Sequence, residues 1–333
     1  MAEYKGIVVY GELTDGKLPS ITTELLGCGR NLADQLKEDL SCLLASDIVG
    51  EASKEAIAFG ADKVYTVEAP ALKDYQADSY IQVAEKLARD ISPRAILIGQ
   101  TSMGRDLAPR LAFRLGVGLS TDCLDLSIDP ESKLLLQTRS VYGGNAQAIF
   151  RSDTMPQIVT IRAKAMTPIE RDKSRKGEII ATKAEIDMSK VKPKIVDKVK
   201  EEVAGVKLED ASVIVAGGRG LGGPEPFNST LKELADVLHG AVGATRPPAD
   251  NGWVSEALHI GLTGKIVAPE IYIAIAISGA SQHVAGCSGS KNIIAINKDP
   301  EANIFREAKF GVVGRYEEVV PAFTQKLKEL LAG

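Results

Sequence analysis

Hydroxyl, amide and imidazole side chains directly follow an apolar run late in the sequence. Residues 271–277 lead into Ser278-Gly279-Ala280-Ser281-Gln282-His283, and a second apolar run, residues 293–296, ends in Asn297. Apolar runs of this length predict buried strands. A polar turn between such a strand and a helix lies at the carboxyl edge of a parallel sheet, where backbone N–H groups bind anions. These residues therefore predict a ligand site.

An arginine within a glycine-rich loop follows another apolar run. Arg219 lies in Gly217-Gly218-Arg219-Gly220-Leu221-Gly222-Gly223, after a strand predicted over residues 213–216. Glycines allow backbone N–H groups to approach phosphate oxygens, and a guanidinium binds two oxygens at once. The loop lacks the Gly-Lys-Ser/Thr ending of a P-loop. By itself it is as typical of a tight turn as of a phosphate site.

Two further loops bring hydroxyls and a second arginine to predicted strand ends. Thr245 and Arg246 follow a strand predicted over residues 241–244, and the two prolines after them end that strand. In Ile260-Gly261-Leu262-Thr263 the glycine allows the threonine hydroxyl and its neighbouring amides to face a ligand closely. Histidines 239 and 259 are interpreted as a helix end and a loop residue.

Two arginines and several backbone amides suit a diphosphate. The sequence does not favour hydrolysis, because no carboxylate pair, metal cluster or Ser/His/Asp set stands out in it. We therefore predict a nucleotide cofactor with a redox ring. Arg246 and His283 would place positive charge beside that ring and favour its anionic reduced form.

Alternating strands and helices position these loops. In the first part, strands are predicted over residues 6–10, 40–45, 63–67 and 95–99, and helices over residues 25–38, 50–59, 77–89 and 105–115. Four more strands follow without intervening helices: residues 123–128, 134–140, 146–150 and 157–161. This pattern predicts antiparallel additions to the sheet edge, with a hairpin turn at Gly143-Gly144-Asn145. Residues 166–209 are charged and predict a solvated crossover rather than a docking patch.

Alternation resumes at residue 211, and helices are predicted over residues 229–238, 304–308 and 316–331, with a short strand over residues 311–313. The fold class is therefore α/β: an N-terminal, mostly parallel α/β domain with added antiparallel strands, residues 1–205, and a second, doubly wound parallel α/β domain, residues 206–333.

Composition excludes several classes of function. The 333 residues are 44% hydrophobic and 25% charged, with a net charge of −4, so neither nucleic acid nor a membrane surface is an expected partner. No apolar run reaches the roughly 18 residues of a membrane span. The sequence starts without a signal or transit pattern, which predicts a cytoplasmic protein of a bacterium or archaeon. The four cysteines form no CxxC pair and are predicted to be buried thiols.

The chain resembles the alpha subunit of electron transfer flavoprotein. The resemblance rests on Tyr272-Ile273-Ala274, the Ser278-to-His283 turn, Gly286 and Ile294-Ala295-Ile296-Asn297, supported by Ile96-Leu97-Ile98-Gly99-Gln100-Thr101 and by Gly104-Arg105-Asp106-Leu107-Ala108-Pro109-Arg110. It implies an FAD held mainly by the second domain, with the flavin near a partner beta subunit that the first domain contacts. The loop over residues 99–105 is interpreted as structural, because it is poor in glycine and lacks a second cation.

The same resemblance implies roles for individual residues. The implied cofactor-binding residues are Arg219, Thr245, Arg246, Ile260, Gly261, Leu262, Thr263, Ser278, Gly279, Ala280, Ser281, Gln282, His283, Asn297 and Arg315. Arg219, Thr245 and the Ser278-to-Gln282 turn would hold phosphates and ribityl, with Asn297 on the adenosine or diphosphate side. Arg246 would lie beside the isoalloxazine, Thr263 near flavin N5 and His283 near the C2 carbonyl.

Two positions depart from the family pattern. Leu262 stands where the family often has glutamine, and Arg315 stands where it often has an aspartate that reaches the adenosine end. The first departure predicts a small change of flavin potential. The second predicts either a lost ribose contact or a new charge toward phosphate.

The predicted function is electron transport. The chain would pass electrons from a dehydrogenase, such as one acting on acyl-CoA, to other redox partners. A narrower hypothesis is flavin-based electron bifurcation, with NADH as donor and ferredoxin or flavodoxin among the acceptors, which needs a second FAD in the beta subunit. The alternatives are an NAD-dependent α/β oxidoreductase subunit and a non-redox nucleotide-sensing scaffold.

Overall fold

The structure is a computed structural model that describes residues 4–142, 146–193, 195–196, 208 and 211–332. The chain divides into two compact units, Met1–Lys198 and Val199–Gly333. The predicted boundary between residues 205 and 206 lies outside the described residues and stays a prediction.

The first unit is built on one nine-stranded sheet with the order β7-β6-β5-β8-β4-β1-β2-β3-β9. Its strands are β1 (Ile7–Gly11), β2 (Leu40–Ser46), β3 (Lys63–Glu68), β4 (Ala95–Gly99), β5 (Leu119–Ile128), β6 (Leu135–Val141), β7 (Ala146–Arg151), β8 (Gln157–Ile161) and β9 (Glu178–Ala181). Its helices are α1 (Ser20–Leu36), α2 (Ala52–Ala58), α3 (Ala77–Ile91) and α4 (Ser102–Leu115). Two apolar cores, one on each face of the sheet, pack against these helices.

The position of β8 corrects one sequence prediction. β5, β6 and β7 pair antiparallel, as predicted. β8 is instead inserted between β4 and β5 and runs parallel to both. All five of its residues are buried, which is the pattern of a central parallel strand covered on both faces. The predicted hairpin turn at residues 143–145 lies outside the described residues.

The charged segment after β8 is only partly a crossover. β9 pairs parallel with β3 and extends the sheet. Arg171 and Arg175 form ion pairs with Glu55 and Asp62 at 2.5 and 2.9 Å. The interpretation of residues 166–209 as a solvated crossover is therefore wrong as far as Ala181, because an edge strand and ion pairs attach this part to the first unit.

The second unit contains a five-stranded, fully parallel sheet. Its strands are β10 (Val213–Gly217), β11 (Ala241–Ala244), β12 (Ile271–Ile275), β13 (Asn292–Asn297) and β14 (Phe310–Val313). Its helices are α5 (Glu225–Asn228), α6 (Thr230–Val237), α7 (Arg246–Asp250), α8 (Ser281–Cys287), α9 (Ile304–Glu307) and α10 (Tyr316–Ala332). In the sheet order β11-β10-β12-β13-β14, the chain places β11 on one side of β10 and then returns to place β12 on the other side. The point where the strand order reverses is therefore between β10 and β12. In open α/β sheets, ligands bind beyond the strand ends at such a switch point.

Candidate functional site

A cleft of about 730 Å³ lies at the carboxyl edge of the second sheet. This volume is within the range of roughly 300–1,000 Å³ typical of small-molecule sites. The loops after β10, β11, β12 and β13 form its walls, together with residues 259–263. Eleven predicted site residues line it: Arg219, Thr245, Arg246, Ile260, Leu262, Thr263, Ser278, Ala280, Gln282, His283 and Asn297. The folded sheet therefore brings together loops that are far apart in the sequence.

Two glycines allow the loops at the switch point to pack backbone against backbone. A Cβ added to Gly218 would lie 2.2 Å from the carbonyl oxygen of Ala276. Gly279 has a φ of +84°, and its added Cβ would lie 2.2 Å from the backbone nitrogen of Ile304. Any side chain at either position would push the loops apart. The glycines therefore allow the loops around the cleft to pack closely, and the predicted approach of backbone N–H groups to phosphate stays a prediction.

Two arginines supply positive charge on one side of the cleft. Arg246 begins α7 and is exposed, and its Nε lies 3.2 Å from Asp250 one helical turn later. Arg219 lies in the short turn after β10, is exposed, and makes no ion pair within the described part of the chain. A guanidinium that is not committed to a buried partner is available to a phosphate oxygen.

Unpaired donors line the cleft or lie directly beside it. The hydroxyls of Thr245 and Thr263 have no hydrogen-bond partner among the described residues, although Thr245 is 7% exposed. The backbone N–H groups of Ser281 and Gln282, in the first turn of α8, donate to no acceptor in the described chain. Polar groups that the protein leaves unpaired in a concave site are suited to bind a polar ligand.

His283 corrects the predicted charge of the site. Its side chain is 6% exposed, and both ring nitrogens have protein partners. Nδ1 lies 2.9 Å from the carbonyl oxygen of Ile260, and Nε2 lies 3.0 Å from the hydroxyl of Tyr272. Burial lowers the pKa of His283 to about 4. The imidazole is therefore neutral near pH 7, and the predicted positive charge at this residue is wrong.

The contact of the His283 imidazole with a flavin C2 carbonyl stays a prediction. It would require the Nδ1–H group to leave the Ile260 carbonyl for the ligand. Of the two residues predicted to place positive charge beside a redox ring, Arg246 is the cation, and its position beside a ring stays a prediction. His259 is half-buried in the same cleft, and burial together with the neighbouring Arg246 lowers its pKa as well.

Asn297 joins two walls of the cleft. Its Nδ2 donates to the carbonyl oxygen of Ile277 at 2.8 Å, and its Oδ1 accepts from the N–H of Asp299 at 3.0 Å. The side chain therefore ties the loop after β12 to the loop after β13. Its predicted place on the adenosine or diphosphate side of a ligand stays a prediction.

Four predicted site residues do not line the cleft. Gly261, Gly279 and Ser281 flank lining residues in their loops. Arg315 lies beyond β14, is 68% exposed at its side chain, and faces Glu317 at 3.8 Å. The structure therefore brings the first three close to the cleft and leaves Arg315 outside it.

Sequence reasoning missed ten lining residues. They are Gly218, Gly220, Pro247, His259, Ala276, Ile277, Asp299, Glu301, Ala302 and Asn303. The two glycines belong to the loop whose glycines are predicted to let N–H groups approach phosphate, but of this loop only Arg219 is among the predicted cofactor-binding residues. The position of Asp299, two residues after a strand end, is the signal that predicts the last four.

The described residues do not meet the requirements of a metal site, a membrane-spanning helix or a reactive thiol. No set of three or more His, Cys, Asp or Glu is arranged there to hold a metal ion. Among the described helices, none has the length and apolar character needed to cross a membrane. Cys28, Cys42, Cys123 and Cys287 are free and buried, as predicted, and burial raises the pKa of each thiol to about 12.

Comparisons with known proteins agree with the cleft. Residues 7–187 match the electron transfer flavoprotein domain, and residues 207–288 match the electron transfer flavoprotein FAD-binding domain. The second match contains the loops after β10, β11 and β12. The arginines, close-packed glycines and unpaired donors of these loops are groups suited to FAD, the cofactor named for this domain.

Curated relatives match along nearly the whole chain. The electron transfer flavoprotein subunit alpha of Thermoanaerobacterium thermosaccharolyticum is 45% identical over 99% of this chain and 100% of its own length. That of Megasphaera elsdenii is 44% identical over 99% and 98%. Subunit LctC of the lactate dehydrogenase (NAD(+),ferredoxin) of Acetobacterium woodii is 37% identical over 96% of this chain and 76% of its own. The chain therefore belongs to the electron transfer flavoprotein alpha subunits, whose cofactor is FAD.

Proposed function

We propose that the cleft at the carboxyl edge of the second sheet holds FAD, and that the chain pairs with a beta subunit. The pair would carry electrons from a dehydrogenase of the acyl-CoA type to another redox protein. The observation that carries this proposal is the combination of Arg219, Arg246 and unpaired donors at the switch point between β10 and β12. A cytoplasmic location stays a prediction.

Each group in the cleft has a task that its position suits. Arg219 and the free N–H groups of Ser281 and Gln282 would bind the diphosphate, because they offer charge-assisted hydrogen bonds. Thr245, at the end of β11, would hydrogen-bond the ribityl or a phosphate through its unpaired hydroxyl. These contacts orient a cofactor and require no proton transfer from the protein.

The ring end of the site would be formed by Arg246 and Thr263. When bound, FAD supplies the redox chemistry, since it accepts and releases electrons one or two at a time. The guanidinium of Arg246 would attract negative charge at the ring, and the Thr263 hydroxyl would be available to donate a hydrogen bond to it. Because His283 is neutral, the balance of charge at the ring depends on Arg246.

Purification with a beta subunit tests this function. The complex is expected to be yellow, to show a flavin absorption spectrum and to exchange electrons with an acyl-CoA dehydrogenase. Flavin content per complex and reduction by the dehydrogenase are the measurements. A stable, colourless complex that takes up no added FAD contradicts the proposal.

Electron bifurcation is a second candidate. The observation that favours it is the similarity to a subunit whose name couples NAD(+) and ferredoxin to lactate dehydrogenase. Two FAD molecules per complex, with NADH oxidation that requires both ferredoxin and a second acceptor, would support it. One FAD per complex and no oxidation of NADH would rule it out.

A further inference from the structure

A buried tyrosine lies behind the cofactor cleft and does not line it. Tyr272 on β12 is fully buried, and its side chain belongs to the apolar core that contains Ile260 and Val284. A hydroxyl in such a core costs free energy unless it is hydrogen-bonded. Its partner is Nε2 of His283 at 3.0 Å, and the thiol of Cys287 interacts with the same hydroxyl.

The hydrogen bonds determine which tautomer His283 adopts. The carbonyl oxygen of Ile260 can only accept, so Nδ1 must carry the proton that it receives. In the neutral ring Nε2 then has a lone pair, and the Tyr272 hydroxyl donates to it. The hydroxyl thus stabilises the neutral ring with its proton on Nδ1, because a donor to Nε2 opposes protonation there.

His283 in turn holds the loop that carries Thr263. The Nδ1–H bond joins the ring to Ile260, and the N–H of Leu262 donates to the carbonyl oxygen of Gln282 at 2.7 Å. An added Cβ on Gly286 would lie 2.4 Å from the backbone nitrogen of Gly261, so helix and loop are in direct contact. Leu262 and Thr263 then face the cleft.

We propose that Tyr272 is a positioning residue of the cofactor site. Its hydroxyl holds the His283 imidazole in one tautomer and, through it, holds residues 260–263 against α8. The position of the Thr263 hydroxyl at the cofactor ring then depends on a residue that touches no cofactor. This inference rests on the proposed role of Thr263 in binding FAD, and groups behind the directly contacting residues commonly tune such sites.

The first test is the tautomer itself. The chain has only three histidines, so ¹⁵N-histidine labelling followed by reconstitution with an unlabelled beta subunit gives a simple spectrum. His283 is expected to show a protonated Nδ1 and an unprotonated Nε2, assigned by loss of the signal in His283→Gln. A protonated Nε2 would overturn the proposal. This measurement needs neither a Tyr272 variant nor bound FAD, so it remains informative if the proposed function fails.

The second test is a double-mutant cycle on FAD affinity in the complex. Tyr272→Phe keeps the ring and removes the hydroxyl, and we expect it to weaken FAD binding roughly 3- to 10-fold, as for one lost hydrogen bond. Thr263→Ala should weaken binding to a similar extent. If Tyr272 acts through the loop, the double variant binds FAD more tightly than the product of the two single effects requires.

A matched control separates positioning from general loss of stability. Tyr80 is also a buried tyrosine, 5% exposed, whose hydroxyl donates to the carbonyl oxygen of Leu72 at 2.7 Å in the first unit. Tyr80→Phe should lower thermal stability without changing FAD affinity. The proposal would be overturned if the losses of FAD affinity in the two single variants multiplied fully in the double variant. It would also be overturned if Tyr80→Phe lost as much FAD affinity as Tyr272→Phe.

Discussion

The two units present crevices of similar size at the carboxyl edges of their sheets, but the first is strongly acidic, whereas the second has as many cations as carboxylates. The crevice of the first unit, about 640 Å³, is lined by five carboxylates and one lysine, Lys73. The carboxylates are those of Glu12, Asp15, Asp47, Glu51 and Asp74. The cleft of the second unit contains two arginines and two carboxylates. A diphosphate is repelled by the first crevice, whereas the second offers two guanidinium groups that can bind its phosphate oxygens.

The difference shows that a strand-end crevice is not by itself a nucleotide site. In the first unit, the Thr101 hydroxyl accepts the N–H of Gly104 at the start of α4 and donates to Glu12 at 2.5 Å. The protein's own carboxylate therefore lies where an anionic ligand would meet this helix. This supports the structural interpretation of the loop over residues 99–105. At the second cleft, the N–H groups of Ser281 and Gln282 and the hydroxyls of Thr245 and Thr263 have no partner among the described residues.

A substitution that disrupts the close backbone packing at the second cleft should give the largest loss of stability and of FAD binding. Gly279→Ala would force a Cβ to within 2.2 Å of the Ile304 nitrogen at a φ of +84°. We expect a loss of about 2–4 kcal/mol in the free energy of unfolding and loss of bound FAD. Chemical denaturation and flavin content are the measurements.

Gly222→Ala is the matched control for Gly279. Its φ is +81°, but apart from its chain neighbours no described residue lies within 4 Å of the added Cβ. The cost should be only that of the backbone conformation, about 1 kcal/mol. Equal losses in the two variants would show that close loop packing is not what the cleft needs.

Loss of a cation from the second cleft should have the next largest effect. Arg246→Ala removes one of the two guanidinium groups that line the cleft, and FAD affinity should fall by about tenfold, as for one charge-assisted hydrogen bond. Fluorescence titration with FAD measures it, with Arg151→Ala on β7 as a control in the first unit. Unchanged affinity and flavin potential would contradict the role of charge in this cleft.

Removal of a buried carboxylate from the first crevice should have a smaller, pH-dependent effect. Burial raises the pKa of Glu12 above its ordinary value, against the opposing hydrogen bond of Thr101. The folded state therefore favours protonated Glu12, and stability falls as pH rises above the ordinary carboxyl value of 4.5 through the raised one. Glu12→Gln keeps an acceptor for Thr101. Its thermal midpoint should exceed that of the parent by about a few degrees at pH 8.

The Glu12 difference should vanish as the pH approaches 4.5. Thermal melts across this pH range measure it. A variant that is less stable than the parent at pH 8 would show that the ionised Glu12 carboxylate stabilises the fold, and that its burial carries no net free-energy cost.

Arg315→Ala should have the smallest effect. The side chain is exposed, pairs only loosely with Glu317 at 3.8 Å and lies outside the cleft. FAD affinity should change less than about twofold, the level of a surface substitution. A loss of fivefold or more would mean that this guanidinium reaches the cofactor in the complex.

Local patterns predicted most elements and most of the cleft. The turn after β12 was found because an uninterrupted apolar run stops at a cluster of small polar residues, and both signals lie within a few positions of each other. The parallel insertion of β8 was missed, because its neighbours β4 and β5 are chosen by pairing between distant segments. β9 was missed because its apolar run, residues 179–181, is only three residues long and lies within an otherwise charged segment.

The sequence by itself determined where strands end, which of those ends carry glycine, hydroxyl or guanidinium groups, and that the chain resembles a flavoprotein subunit. Only the tertiary structure decided the state of His283. Burial makes the imidazole neutral, and its hydrogen-bond partners, Tyr272 and Ile260, which fix its tautomer, are 11 and 23 positions away in the sequence. The physical reason is that residue type and spacing are local, whereas desolvation and hydrogen-bond partners depend on which distant segments the fold brings into contact.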